Sequence, residues 1–156
     1  MLDLIIKNGA CYIDNNLKDV DIGIQSGKII KIGKLDEEAN QLIDANGLTV
    51  LPGCIDTQTH FREPGSTDTE DLSSGSRAAI VGGITSVFEM PNTNPATTNQ
   101  EEFKRKINLA KNRMYCNHAF YFGATPNNQS ELASLKGLEG CCGVKLFAGS
   151  STGTLL

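Results

Sequence analysis

The sequence predicts an α/β fold, a parallel βα segment preceded by a small all-β domain, and three observations carry that prediction. After Pro52, β-branched runs alternate with helical segments, the pattern of βαβ units. Before Pro52, short strand-like runs follow one another with turn residues between them. Finally, the apolar run Leu48-Thr49-Val50-Leu51-Pro52-Gly53-Cys54-Ile55 ends in Asp56-Thr57-Gln58-Thr59-His60-Phe61-Arg62. Such a run reads as a buried strand that delivers polar side chains to its C-terminal end, where parallel α/β folds place their chemistry.

Taken in order, Leu2-Asp3-Leu4-Ile5-Ile6 is the first expected strand. Asp21 to Gln25 alternates with period two, and Ser26-Gly27-Lys28 closes a hairpin onto Ile29 to Gly33. Gln41 to Asp44 is a third run. These predict a small antiparallel sheet with one apolar face, filling a domain over 1–50. Over 51–156 the expected strands are Cys54 to His60, Ile84 to Met90, His118 to Gly123 and Gly143 to Ala148. A helix is expected over Asp68 to Val81, weakened by Ser73, Ser74 and Gly75. A second runs to about Arg113; Thr98 or Asn99 caps its bare amides, and Glu101 and Glu102 suit the positive end of its dipole. Asn127 to Lys136 is a third, and Gly153-Thr154-Leu155-Leu156 reads as the start of a fourth. Four strands do not close a (β/α)₈ barrel, which needs eight and roughly 250 residues. Taken alone, such a half-barrel exposes strand edges and apolar faces that favour assembly.

Composition narrows the function classes. A net charge of −4 argues against nucleic acid or an anionic membrane as the main partner. The apolar runs are too short to span a bilayer. Asp3 and Lys7 interrupt the place where a secretory signal keeps its apolar core, so a cytoplasmic protein is expected. Five cysteines, an odd count without CxxC spacing, read as buried reduced thiols.

Several motifs, in order and spacing, resemble the N-terminal third of dihydroorotase, a cyclic amidohydrolase of the amidohydrolase superfamily. Leu51-Pro52-Gly53-x-Ile55-Asp56 matches the lead into its first barrel strand, and Phe61-Arg62-Glu63-Pro64-Gly65 follows. Gly82-Gly83-Ile84-Thr85 leads to Met90-Pro91-Asn92-Thr93-Asn94-Pro95, and Gly143-Val144-Lys145-Leu146-Phe147 matches the fourth strand. The resemblance implies a partial metal-dependent-hydrolase TIM barrel, its first four β/α units, behind a small β-sandwich. It makes 51–156 the truncated N-terminal half of that barrel and the chain a fragment.

The resemblance also implies site residues. Where the family reads Asp-x-His-x-His, this chain keeps the second histidine as His60 and carries Gln58 in place of the first. The family's two histidines bind a divalent metal, usually one or two zinc ions. An amide oxygen is a poor substitute for imidazole at zinc, so Gln58 implies a weak metal position. Lys145 matches the lysine that family members carboxylate to bridge two metals; its bland alternative is an ordinary paired lysine. Arg62 matches the arginine that grips the dihydroorotate carboxylate, a task suited to a planar guanidinium. Allantoinases carry Asn there, and hydantoinases lack a comparable arginine. The bland alternative for Arg62 is a salt bridge to Glu63. Asn92 matches a second substrate-binding residue, or is a turn residue of the Pro91–Pro95 loop. His118 reads as structural, and Asp56 as a carboxylate that orients its neighbours.

The implied reaction is hydrolysis of dihydroorotate to N-carbamoyl-aspartate, a step of pyrimidine biosynthesis. No catalytic residue is expected within this chain, because the general base and later ligands of the family lie on later strands. Two alternatives stand beside this reading. One is a non-catalytic homologue acting as a scaffold for a pyrimidine-pathway enzyme. The other is a cyclic amidohydrolase for allantoin or hydantoins. A small-molecule substrate is the expected partner, with a homo-oligomer or a pathway enzyme as a protein partner.

Overall fold

The computed structural model describes residues 1–149, so the expected fourth helix at Gly153–Leu156 lies outside the described residues. The chain divides into two compact units, Met1–Pro52 and Gly53–Leu156.

The first unit holds seven strands: β1 (Leu2–Lys7), β2 (Ala10–Ile13), β3 (Asn16–Asp19), β4 (Asp21–Gln25), β5 (Lys28–Gly33), β6 (Ala39–Asp44) and β7 (Thr49–Val50). They form two sheets, ordered β5-β4-β1-β6 and β3-β2-β7. The expected single antiparallel sheet is corrected twice. β1 pairs with β4 antiparallel but with β6 parallel, because the chain crosses over after β5 and returns on the other side of β1. A second sheet exists because Asp14 and Asn15, both at positive φ, turn β2 back onto β3. Two central residues at positive φ match the twist of a tight hairpin. Leu2, Ile5 and Leu35 form the small core of this unit.

Asp21 ties the first unit together from inside. It is 4% exposed and accepts the Leu35 N–H at 3.0 Å and the Asn8 N–H at 3.3 Å. The Leu35 bond, helped by the Asn8 bond and nearby lysines, holds its carboxyl below the usual range against the opposing effect of burial. The folded unit therefore prefers the ionised form. That stabilisation is present above the ordinary carboxylate pKa and is lost as pH falls through the lowered folded value. Asp21→Asn is expected to lower stability at pH 7 and to flatten its decline towards pH 3, read by urea denaturation at both pH values. An unchanged pH slope would show that Asp21 is not the linked group.

The second unit alternates strands and helices: β8 (Cys54–Thr59), α1 (Leu72–Val81), β9 (Ile84–Glu89), α2 (Gln100–Ala110), β10 (Asn117–Gly123), α3 (Gln129–Leu132), a 3₁₀ turn (Ala133–Leu135) and β11 (Cys141–Lys145). Its sheet is parallel throughout, in the order β11-β10-β9-β8. Each strand thus lies beside the next one in sequence. This is an α/β architecture, and its four strands carry their C-terminal ends on one edge of the sheet. Leu72, Val87, Phe103, Phe120, Phe122 and Leu135 form the core between sheet and helices.

Several boundaries differ from expectation for local reasons. α1 starts at Leu72 rather than Asp68, because Asp71 is its N-cap and closes a capping box with Ser74. Gly75 does not merely weaken α1. A Cβ there would lie 2.5 Å from Phe61 Cδ1, so glycine lets the helix settle on that ring. α2 begins after Asn99, whose Oδ1 accepts the Glu102 N–H at 2.8 Å, and it ends at Ala110 before Asn112 turns at φ 60°. The expected third helix is a single α turn followed by the 3₁₀ turn. β11 runs over Cys141–Lys145 because its register with β10 ends at Gly123 opposite Lys145. All five cysteines are free; Cys11 and Cys116 are buried, but Cys54, on an edge strand, is exposed. No helix among the described residues is long and apolar enough to cross a membrane.

Candidate active site

Of the residues singled out from sequence, His60, Arg62 and Asn92 come together at the C-terminal edge of the parallel sheet, while Lys145 ends β11 on the other side of that sheet. His60 follows the end of β8, and Asn92 follows β9 after Met90 and Pro91. Their side chains meet: His60 Nδ1–H donates to Asn92 Oδ1 at 2.9 Å. That bond assigns the tautomer and leaves the lone pair on Nε2. Burial pulls the His60 pKa below its ordinary value, and the positive charges of Arg62, Lys145 and Lys106 push the same way against the raising effect of Asn92. His60 is therefore a neutral imidazole at pH 7.

Arg62 stands at φ 56°, a left-handed conformation that few non-glycine residues adopt and that clusters at functional sites. The expected alternative for it, a salt bridge to Glu63, does not form. Glu63 points away and takes Arg113 in a two-bond grip, 2.7 and 3.0 Å, while also accepting the Leu72 N–H at 2.9 Å. Among the described residues Arg62 makes no ion pair. Its side chain instead lines a cavity of about 350 Å³ with Pro64, Ser66, Thr69, Asn92, Thr93 and Asn94. Two loops build this cavity. The Asn94 N–H donates to the Pro64 carbonyl at 2.9 Å. Gly65, at φ 122°, leaves room for that contact, since a Cβ would come within 3.0 Å of the Asn94 Cβ.

Gln58 sits exposed on β8, its N–H held by Asp56 Oδ1 at 2.9 Å, so Asp56 orients the backbone of this strand. Lys145 ends β11, half-buried, with Nζ 5.2 Å from the centre of the Phe147 ring. His118 lies at the opposite end of its strand, bonded to the Cys116 carbonyl at 3.2 Å, which is a structural role. For a divalent metal the available donors are few and chemically mixed. They are one imidazole from His60, one neutral amide from Gln58 and one amine from Lys145. Among the described residues no cluster of three His, Cys, Asp or Glu side chains could hold an ion. These residues alone do not fit a zinc centre, which takes three or four imidazole, thiolate or carboxylate donors.

Two residues absent from the sequence reading matter here. Glu89, the last residue of β9, and Lys106 on α2 are 1% and 0% exposed. Glu89 accepts the Phe61 N–H on both carboxylate oxygens at 3.0 Å and the Thr59 hydroxyl at 2.9 Å. A signal was present: Phe103, Lys106 and Ala110 share one helical stripe, and a lysine on an apolar stripe needs a buried partner.

A parallel βα sheet with cations, an imidazole and an amide near its strand ends is the arrangement in which α/β folds bind small polar ligands. Residues 49–141 match the Amidohydrolase family, and the chain belongs to it. Members of that family generally use metal ions. The chain is 42% identical over 146 residues to an allantoinase from Salmonella choleraesuis strain SC-B67, which covers 93% of this chain and 32% of that protein. Among solved structures it is similar to the L-hydantoinase (dihydropyrimidinase) of Arthrobacter aurescens, with TM-score 0.87 and 30% identity over 100% of this chain and 36% of that one. A D-hydantoinase structure gives 0.86 and 26%, over 99% of this chain and 35% of that one. The chain thus spans about a third of the length of the relatives it matches. The relatives named here are allantoinases and hydantoinases, so the finer expectation of a dihydroorotase gains no support from them.

Proposed function

We propose that the chain forms the ring-binding part of a cyclic-amide hydrolase whose substrate is a ureide ring such as allantoin or a hydantoin. The carrying observation is the bonded His60–Asn92 pair beside Arg62 at the C-terminal edge of the sheet. Ring amides present alternating carbonyl acceptors and N–H donors. The hydroxyls of Ser66 and Thr69 and the amide of Asn94 can answer both, and a cavity of about 350 Å³ suits a five- or six-membered ring. In hydrolysis, water adds to a ring carbonyl, the carbonyl C–N bond breaks, and the leaving nitrogen gains a proton. Neutral His60 carries a lone pair on Nε2 able to hold a proton, while Asn92 fixes its tautomer. Arg62 supplies positive charge towards the oxygen on which negative charge develops. The similarity to allantoinases and hydantoinases supports the ureide ring. The proposal extends to the fold, with β8–β11 read as four strands of an eight-stranded barrel, and to a cytoplasmic location.

A second reading rests on Arg62 itself. A guanidinium that makes no ion pair among the described residues and lines a small cavity favours a ring that bears a carboxylate, such as dihydroorotate. Calorimetric titration of the chain with allantoin, hydantoin and dihydroorotate separates the two. The ureide reading expects allantoin or hydantoin to bind with little change in Arg62→Ala. The carboxylate reading expects dihydroorotate to bind and Arg62→Ala to weaken it at least about tenfold, the loss of a charge-assisted pair of bonds. Failure of all three rings to bind the unaltered chain would overturn both.

A further inference from the structure

The two sides of the candidate site hang on different strands, and no short stretch of chain fixes the distance between them. His60 extends from β8 and Asn92 from β9, so their 2.9 Å contact depends on how segments 59–61 and 90–92 are held. One buried pair holds both. Glu89 grips the first segment through the Phe61 N–H and the Thr59 hydroxyl. Lys106 Nζ grips the second by donating to the Met90 carbonyl at 2.8 Å, and it lies 3.6 Å from Glu89 Oε1. It also sits 5.4 Å from the centre of the Phe120 ring, which favours the cation. Burial works against both charges, pushing the Glu89 pKa up and pulling that of Lys106 down to about 8. A fully buried ion pair is seldom more stabilising than apolar side chains of the same size. What this pair gives that an apolar pair could not is directed hydrogen bonds to two backbone segments of the site.

We propose that Glu89 and Lys106 are a positioning pair that sets the His60–Asn92 contact through the backbones of Phe61 and Met90. The functional meaning of this rests on the ring-binding reading above, but the geometry does not.

The test reads the tautomer of His60 and needs no ligand. The chain has two histidines, so His118→Asn leaves His60 as the single imidazole signal for ¹⁵N NMR. In that background the Nδ1–H tautomer should be enriched, and Asn92→Ala, the direct break, should shift the ratio towards Nε2–H. Glu89→Ala and Lys106→Met, which alter neither partner of the bond, are expected to shift it in the same direction by about fivefold, the worth of one hydrogen bond. Leu135→Ala, a core truncation on another element, supplies a destabilised comparison and should leave the ratio unchanged. Where Glu89→Ala does not fold, the uncharged double variant Glu89→Gln/Lys106→Met carries the test, with the Met90 carbonyl released and the same direction expected. An unchanged ratio in the folded pair variants would overturn the proposal. So would an unchanged ratio in Asn92→Ala, since the contact would then not exist in solution. A chain that shows the expected shifts but binds none of the three rings supports the positioning pair and sinks the ring-binding reading alone.

Discussion

Replacing Glu89 with alanine is expected to destabilise the second unit by about 3–5 kcal/mol, the range seen when one partner of a buried ion pair is removed. The reason is asymmetry. The variant leaves Lys106 as an uncompensated charge at 0% exposure, strips the Phe61 N–H of its acceptor and leaves the Thr59 hydroxyl only the Phe88 carbonyl. Lys106→Met is expected to cost a similar amount, because it leaves Glu89 ionisable at 1% exposure and the Met90 carbonyl without its donor. The double variant Glu89→Leu/Lys106→Met should cost less than the sum. It removes both charges together, so what remains is the unmet Phe61 N–H and the Met90 carbonyl without its donor, about 1–3 kcal/mol for each buried group. Urea denaturation of the three variants closes the cycle. A double variant as damaging as the two singles added would show that the pair is not an energetic unit.

That network also marks where sequence reasoning reached its limit. Strand β8 was legible in its polar end but not in its burial: the apolar run Leu48–Ile55, read as one buried strand, divides between β7 and β8, and β8 is an edge strand with Ile55 60% exposed and only Thr59 buried. α2 was legible because Asn99 sits before two acids and an apolar stripe. Lys106 occupies that stripe, but a helical period says only that a residue faces inwards, not what it meets there. Its partner lies on a strand 17 positions earlier, and neither residue's neighbours disclose the other. The bond between Glu63 and Arg113, 50 residues apart, is illegible for the same reason, and it removes the salt bridge that sequence adjacency offered to Arg62. In the first unit, β2 and β3 are four residues each, too short for alternation to register. Their hairpin depends on the positive φ of Asp14 and Asn15, which either residue type permits but neither compels.

Gln58→His is expected to raise the affinity of the chain for Zn²⁺ by about a hundredfold. The estimate follows from structural zinc sites, where about 10–16 kcal/mol is shared among four ligands, so that one added imidazole contributes about 3 kcal/mol. The position suits the change. Gln58 lies two residues before His60, the spacing at which strand neighbours share a face, although His60 follows the end of β8 and the register is irregular between Asp56 and Thr59, so the variant itself tests whether two imidazoles there reach one ion. Gln58 is also exposed on β8, so a ring of similar reach meets no packing barrier, and its backbone stays anchored by Asp56. His60 would bind through Nε2, since its Nδ1–H is committed to Asn92. Competition against a chromophoric chelator measures the affinity, and Gln58→His/His60→Ala supplies the control that should return it to the starting value. A gain that survives in that control would place the new ion elsewhere on the chain. No gain in the single variant would mean that residues 58 and 60 do not face one point, so that Gln58 is not what separates this strand from a metal-binding one.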